Sequence, residues 1–466
     1  MIRLLEGKEK NLLKHHPWVF SGALDLEGSD LGSAVEDSSA VEDSSAVEVG
    51  SADEDGSAVE DGSAVEDGEG RGACFDEGRR SGVGPDAGVG PEAGVQRVES
   101  ADGRFVAWGY YDKDSHIPLR LLSWNEKEIP DEAWWINMVR QSVLRRKVFF
   151  QDMSSDTNVF RIIHGEADLL PGVVADVYGK IIRIIISARV AWKLRQTIVD
   201  ALEGLLHPQM IILNTDAAFC AIEKLHEVTE YYKAGLRFIP TEKFDEIRIR
   251  EDGLYYGLVP GSGQKSGFYC DQRENRKRVE NYVKDATVLD GCCYTGGFTL
   301  HALRGLCKSV DAFDSSADAI HRLIGNVKLN VDLGILPSAC LDKVTATKAD
   351  IFETLRTIAK NKYDVIILDP PKLAQTIKSL ESAKKAYKDL NRLAMEKIKN
   401  GGILVTCSCS GSLKREDFKT VLAWSAKDAG VEVQILETLG QAMDHPIRLS
   451  FPESEYLKVY ILRVIR

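Results

Sequence analysis

The sequence predicts an α/β protein whose C-terminal part is built on a mostly parallel sheet, preceded by a small α+β module and a β-rich N-terminal unit. Three observations carry this. From about Leu254 onward, strand-like and helix-like segments alternate, the pattern of a parallel sheet. The apolar runs Tyr363-Asp364-Val365-Ile366-Ile367-Leu368 and Gly402-Ile403-Leu404-Val405-Thr406 are short, β-branched and closed by polar residues, as buried parallel strands are. Thr287-Val288-Leu289-Asp290 runs into a glycine-bearing loop that opens a helix. Ligands of open α/β sheets sit outside the carboxyl ends of the strands. The endings Asp369-Pro370-Pro371-Lys372 and Cys407-Ser408-Cys409-Ser410 are therefore expected side by side at one site. One brings a carboxylate on a stiff diproline turn and the other a thiol, a pairing suited to a nucleophilic cysteine acting on a flat, electron-poor ring.

Taken in order, Leu13 to Gly22 and Phe105 to Leu122 are rich in aromatics and turn residues and read as two parts of one β-rich unit. Between them a hexapeptide, Ser33-Ala34-Val35-Glu36-Asp37-Ser38, recurs from Ser39, Ser45, Ser51, Ser57 and Ser63, followed by a Gly/Pro-rich stretch from Gly82 to Gly94. Small acidic residues without aromatics cannot bury enough surface to order themselves, so 28–95 reads as a disordered insertion in a surface connection. A helix is expected over Glu132 to Phe150. Strands follow at Phe160–His164, Gly172–Asp176, Ile181–Ile186 and Met210–Leu213, with a helix over Ala191–Leu206. Further strands are expected at Thr287–Asp290, Ser309–Phe313 and Val344–Ala349. The domains are then 1–125, 126–243 and 244–466.

The 466 residues carry a net charge of −12, but residues 28–70 hold 14 Asp and Glu and no Lys or Arg. The rest is close to neutral with basic clusters such as Arg273, Arg276, Lys277 and Arg278, which is compatible with nucleic acid and does not demand it. No apolar run is long enough to span a membrane, and the N-terminus lacks the apolar core of a signal peptide. Nine scattered cysteines without ligand spacing predict no metal site and a reducing, cytoplasmic setting.

The loop Gly291-Cys292-Cys293-Tyr294-Thr295-Gly296-Gly297-Phe298 lets the backbone approach a ligand, and the helix start behind it favours an anionic group. Asp314 ends the next strand 24 residues after Asp290, the distance for an acid that binds ribose hydroxyls. Asp350 ends a third strand and is placed to hold an adenine amino group. A Gly-Gly after a strand is by itself a tight turn; three acids at three successive strand ends outweigh that reading. The loop is not G-x-G-x-x-G, so S-adenosylmethionine (SAM) suits it better than a dinucleotide. Upstream, Tyr269, Asp271 and Arg273 lie in a polar segment expected to close over the cofactor, with a helix cap at Asp271 as the plainer alternative.

Together these residues resemble the SAM-dependent bacterial methyltransferases that make 5-methylcytosine in large-subunit ribosomal RNA. The resemblance covers nearly the whole chain outside the insertion. It rests on His16 to Gly22, on His164-Gly165-Glu166-Ala167-Asp168 and Leu170-Pro171-Gly172, on Gln264-Lys265 through Arg276, on the Asp290 loop, on Asp369 to Lys372 and Ser408 to Gly411, and on Asp444-His445-Pro446 with Glu455 to Lys458. It implies a class I methyltransferase domain with a doubly wound seven-stranded sheet, an N-terminal PUA-like RNA-binding β-barrel, ribosomal RNA as partner and a homodimer. It adds Lys265 and Pro370 to the cofactor contacts Tyr269, Asp271, Arg273, Asp290, Tyr294, Gly296, Asp314, Asp350 and Asp369. Gly291 and Cys292 depart from the bulkier apolar residues the family carries, and Cys270 from its leucine.

The resemblance also implies roles. Cys409 is the nucleophile that adds to cytosine C6, and Asp369 hydrogen-bonds the base, held by the diproline. Cys407 points to the same side of its strand and is the second candidate, although packing beneath Cys409 is its plainer role. The SAM sulfonium and Lys372 are candidates for activating the thiol. His164 and His445 read as structural, and Cys292 and Cys293 as loop packing. Two other functions stay open at this point. One is methylation of an exocyclic amine of adenine or guanine through Asp369-Pro370-Pro371, which needs no cysteine. The other is an rRNA-binding assembly factor without turnover.

Overall fold

The computed structural model describes residues 1–25, 93–147, 156–261, 267–374 and 379–466. Nearly all of the expected insertion, together with Lys265, falls outside the described residues. Residues 93–95 do not belong to the insertion, because they begin a strand whose backbone pairs with 110–112.

The N-terminal unit contains β1 (Ile2–Leu4), β2 (Trp18–Val19), β3 (Leu24–Asp25), β4 (Ala93–Glu99), β5 (Phe105–Asp112) and β6 (Leu119–Ser123). They form one sheet in the order β2-β6-β5-β4-β1-β3. Among the described residues no ladder joins the edge strands β2 and β3. The connection after Asp25 leaves from the edge strand β3 and returns into β4, with β1 between them, and connections of this kind tolerate long inserts because closure entropy grows slowly with length.

The central domain has β7 (Val159–His164), β8 (Val173–Tyr178), β9 (Ile181–Ile186), β10 (Met210–Thr215), β11 (Thr229–Lys233) and β12 (Leu236–Phe238), in sequential order across the sheet. Alternation splits its faces. Val173, Ala175, Val177, Ile182 and Ile184 join Trp135 and Val139 of helix Glu132–Lys147 and Ile198 and Leu202 of helix Arg195–Leu206 in a buried core. Arg161, Asp176 and Arg183 point the other way, toward the catalytic domain.

A hairpin, β13 (Ile247–Glu251) and β14 (Leu254–Leu258), leads into the catalytic sheet. That sheet comprises β15 (Thr287–Gly291), β16 (Ser309–Asp314), β17 (Val344–Lys348), β18 (Tyr363–Leu368), β19 (Ile398–Ser408), β20 (Glu432–Leu439) and β21 (Lys458–Ile465). Its order is β17-β16-β15-β18-β19-β21-β20, and only β21 runs against its neighbours. Val365 and Ile367 enter the core on one face and Ile366 and Leu368 the core on the other, which is why β18 reads as an unbroken apolar run. The chain order reverses between β15 and β18, so Asp290 and Asp369 flank the crevice where such sheets bind ligands. This is the class I methyltransferase fold. No helix among the described residues is long and apolar enough to cross a membrane.

Buried ion pairs join the three parts. Arg120 of β6 reaches Glu166 at 2.9 Å and Glu223 at 3.0 Å, and the Trp18 indole donates to Glu166 at 2.9 Å. Asp444 lies fully buried where the central and catalytic domains meet. It accepts from Arg273 at 2.8 Å and from the Arg161 backbone N–H at 2.8 Å.

Candidate active site

Asp369 follows β18 and Cys409 follows β19, on parallel strands paired Leu368↔Thr406. The structure thus brings the carboxylate turn and the thiol to one edge of the sheet. Ser410 ties them together. Its hydroxyl accepts the Ala374 backbone N–H at 3.1 Å and lies 3.3 Å from the Tyr387 hydroxyl. Its carbonyl accepts from the buried Lys458 ammonium, which also donates to the Tyr456 carbonyl at 2.7 Å. The Gln272 amide donates to Asp369 Oδ1 at 2.9 Å. Burial raises the Asp369 carboxyl to about 7, with Asp271 adding to the rise and Arg276 and Gln272 opposing it. Cys407 is fully buried in the core beneath, and burial pushes its thiol well up, which suits packing rather than attack. Cys409 is only partly buried. Lys372 is partly exposed on the turn.

The glycine loop departs from β15 under strain. Cys292 and Tyr294 both adopt the left-handed region, at φ 61° and 47°, unusual for residues with a side chain. Asp314 holds the loop there: its Oδ2 accepts the Tyr294 N–H at 2.8 Å, and its Oδ1 caps the next turn at Ser316. Gly296 sits at φ 89°, with Leu323 Cγ 2.7 Å from where a Cβ would stand, so neither backbone nor space admits another residue. Gly291 is filled around by Ile351 and Leu368, whose side chains lie 2.8 Å and 3.1 Å from its would-be Cβ. That packing replaces the bulkier residue of the resembled family. Cys293 is buried and Cys292 packs against the core, as the sequence suggests.

Asp290 is fully buried; its Oδ2 accepts the Thr299 hydroxyl at 2.7 Å and its Oδ1 has no hydrogen-bond partner among the described residues. Burial raises this carboxyl to about 7 against the pull of Thr299. An orphaned carboxylate oxygen beside a helix start and two crowded glycines fits SAM, whose charge and hydroxyl donors would satisfy it. Tyr269 and Tyr294 stand ring to ring at 5.2 Å beside this loop. Asp271 receives the Tyr456 hydroxyl on Oδ2 at 2.7 Å, while its buried Oδ1 has no hydrogen-bond partner among the described residues.

Two of the expected cofactor residues have partners within the protein. The Arg273 guanidinium meets the buried Asp444 at 2.8 Å and 3.3 Å and Glu274 at 3.3 Å. Asp350 is exposed and caps helix Ile351–Thr357 by accepting the Glu353 N–H at 3.0 Å. His164 and His445 stand edge to face at 5.3 Å, with His445 3.0 Å from Asp444. Gln272 and Lys458 touch the reacting edge of the sheet. Both fall in segments that carry the resemblance, but the sequence assigns neither a role.

Residues 199–446 match the S-adenosylmethionine-dependent methyltransferase family, and residues 84–124 match a PUA-like domain. Over 369 residues the chain is 35% identical to ribosomal RNA large subunit methyltransferase I of Pseudoalteromonas translucida, spanning 79% of this chain and 89% of that one. The protein of the same name from Tolumonas auensis is 32% identical over 471 residues, 100% and 99% of the two chains. Among solved structures, a Streptococcus mutans protein provisionally named a SAM-dependent methyltransferase superposes with a TM-score of 0.66 at 20% identity, covering 81% of this chain and 93% of that one. A methyltransferase structure complexed with S-adenosylhomocysteine, SMU.776, gives 0.66 at 19%, covering 80% and 91%. At such identity these two show the fold alone. By the family match and the full-length relatives, this chain belongs to the SAM-dependent ribosomal RNA large subunit methyltransferase I family.

Proposed function

We propose that the protein methylates cytosine C5 in large-subunit ribosomal RNA, in the cytoplasm, with Cys409 as nucleophile and Asp369 as the group that holds the base. The observation that supports this best is the tie between the two strand ends, Ser410 to Ala374, which keeps thiol and carboxylate in a fixed relation. Cytosine C5 is a poor nucleophile. Addition of the Cys409 thiolate to C6 makes the ring enamine-like and turns C5 into one. Bound SAM supplies the electrophilic methyl group. Loss of the C5 proton and expulsion of the thiolate then restore the ring.

The raised Asp369 carboxyl is suited to hydrogen-bonding a ring whose charge changes during reaction. Gln272 fixes its orientation. The target base has to leave its stack to reach this edge. Cofactor contacts are assigned to Tyr269, Asp271, Asp290, Tyr294, Gly296, Asp314 and the Asp369-Pro370 turn. The PUA-like unit and the central domain deliver the RNA.

RNA containing 5-fluorocytidine tests the covalent step, because fluorine cannot leave C5 as a proton does. Wild-type protein with SAM should form a denaturation-resistant RNA adduct, Cys407→Ala should keep it, and Cys409→Ala should lose it. An adduct that persists in Cys409→Ala and is lost in Cys407→Ala would make Cys407 the nucleophile, and full methylation by Cys409→Ala without any adduct would turn the reading to amine methylation through Asp369-Pro370-Pro371.

A further inference from the structure

A cavity of about 430 Å³ opens between the polar face of the central sheet and the segment Phe268–Asp271 of the catalytic domain. Its wall carries a cross-strand row: Arg161 opposite Asp176, and Asp176 opposite Arg183. Arg161 engages both oxygens of Asp176, at 2.8 Å and 3.0 Å. Arg183 is left over. Its Nε donates to Asn214 Oδ1 at 3.0 Å, and among the described residues no carboxylate comes within ion-pair distance of it. Buried Arg120, Arg146, Arg161, Arg273 and Arg276 each meet a carboxylate at 3.0 Å or less. Arg183, which is only partly buried, meets none, although burial disfavours its charge.

The acids of the cavity have partners other than Arg183. Asp176 is held by Arg161 through both oxygens, and Asp216 caps helix Ala217–Cys220. Glu166 is held by Arg120 and Asp271 by Tyr456 through one oxygen each, the second oxygen of each having no hydrogen-bond partner among the described residues. Glu227 lies at the exposed rim. Phe219 and Tyr269, both partly exposed, offer flat faces for a base. The wall that ends the cavity, Tyr269 to Asp271, continues into Gln272, which holds Asp369. The cavity therefore borders the reacting edge of the catalytic sheet.

We propose that this cavity binds one unstacked nucleotide of the RNA strand beside the target base, with its phosphodiester on the Arg183 guanidinium. The proposal rests on RNA being the substrate. Arg183 presents a fork that a phosphate oxygen pair matches, and Asn214 fixes its direction.

The test measures binding of the full chain to an unmodified large-subunit rRNA transcript across a salt series, with SAM binding measured in parallel. Arg183→Gln should weaken RNA binding about tenfold, the size of one charge-assisted contact. It should also make the slope of log affinity against log salt shallower by about 0.7, one single-strand phosphate contact. SAM affinity should not change. Arg183→Lys should recover the slope, which guards against a folding defect in the glutamine variant. Lys360→Gln, exposed at the opposite, amino end of β18, should match wild type. Unchanged RNA affinity and slope in Arg183→Gln would overturn the proposal. So would weakened SAM binding with intact RNA binding, which would assign Arg183 to the cofactor carboxylate. Absence of salt-dependent RNA binding by the wild-type chain would remove the RNA reading itself.

Discussion

Replacing Ser410 by alanine isolates what the strand-end tie contributes. Ser410, Ala374 and Tyr387 are all fully buried. The substitution deletes one hydroxyl and strands the Ala374 N–H, which loses a 3.1 Å bond, and the Tyr387 hydroxyl, which loses a longer one at 3.3 Å. A buried donor without a partner costs about 1–3 kcal/mol, and the longer contact adds less, so the fold should lose about 2 kcal/mol. The turn carrying Asp369 then relaxes relative to Cys409. Misplacement of reacting groups by about 1 Å costs on the order of a hundredfold in rate. Single-turnover methyl transfer to an rRNA transcript at saturating SAM should therefore fall about 10- to 100-fold, while SAM affinity stays within about twofold. Ser412→Ala is the control, because the buried Ser412 hydroxyl has no hydrogen-bond partner among the described residues and its loss should be nearly neutral. A Ser410→Ala enzyme as fast as wild type would refute the idea that this serine aligns the two strand ends.

Asp444→Ala should cost about 3–5 kcal/mol in denaturant unfolding, because it removes the buried counter-charge of Arg273 and leaves it only the more exposed Glu274 at 3.3 Å. Although burial opposes its charge, His445 and Arg273 hold the Asp444 carboxyl well below the usual range. Its stabilisation is thus complete above about pH 5 and drains as pH falls below about 4, a dependence that Asp444→Asn should lack. Asp290, raised to about 7, is protonated below that pH in the unliganded protein. SAM binding measured by calorimetry should weaken by up to about tenfold per unit below pH 7 and level off above it, and Asp290→Asn should bind weakly with a flat profile. Deleting residues 28–92 should leave cooperative unfolding and methyl transfer intact. Extending the deletion through Gly94 and Val95 removes paired β4 backbone and should lower the unfolding midpoint.

The parallel strands were legible because their residues are apolar on both faces: Val365, Ile366 and Ile367 leave no other reading. The hairpin β13–β14 escaped the sequence reading although its signal was present, alternating Ile247-Arg248-Ile249-Arg250 followed by Asp252-Gly253, both at positive φ. Asp350 with Glu353 is likewise a local capping pattern, which the expectation of a third ligand acid overrode. Arg273 is different in kind. Its partner Asp444 stands 171 residues away, and no local pattern reveals a partner so distant in the chain. The place of Cys409 beside Asp369 was readable from two strand endings, since topology alone brings them together. Lys458 was not, because it reaches the site by folding back on an antiparallel strand.

The most direct test of cytosine-C5 methylation is nucleoside mass spectrometry of unmodified large-subunit rRNA incubated with the protein and methyl-labelled SAM. Labelled 5-methylcytidine, formed by wild type and absent with Cys409→Ala, is the expected result. Labelled methyladenosine or methylguanosine, formed with or without Cys409, would contradict the thiol mechanism and leave Asp369-Pro370-Pro371 as the catalytic centre.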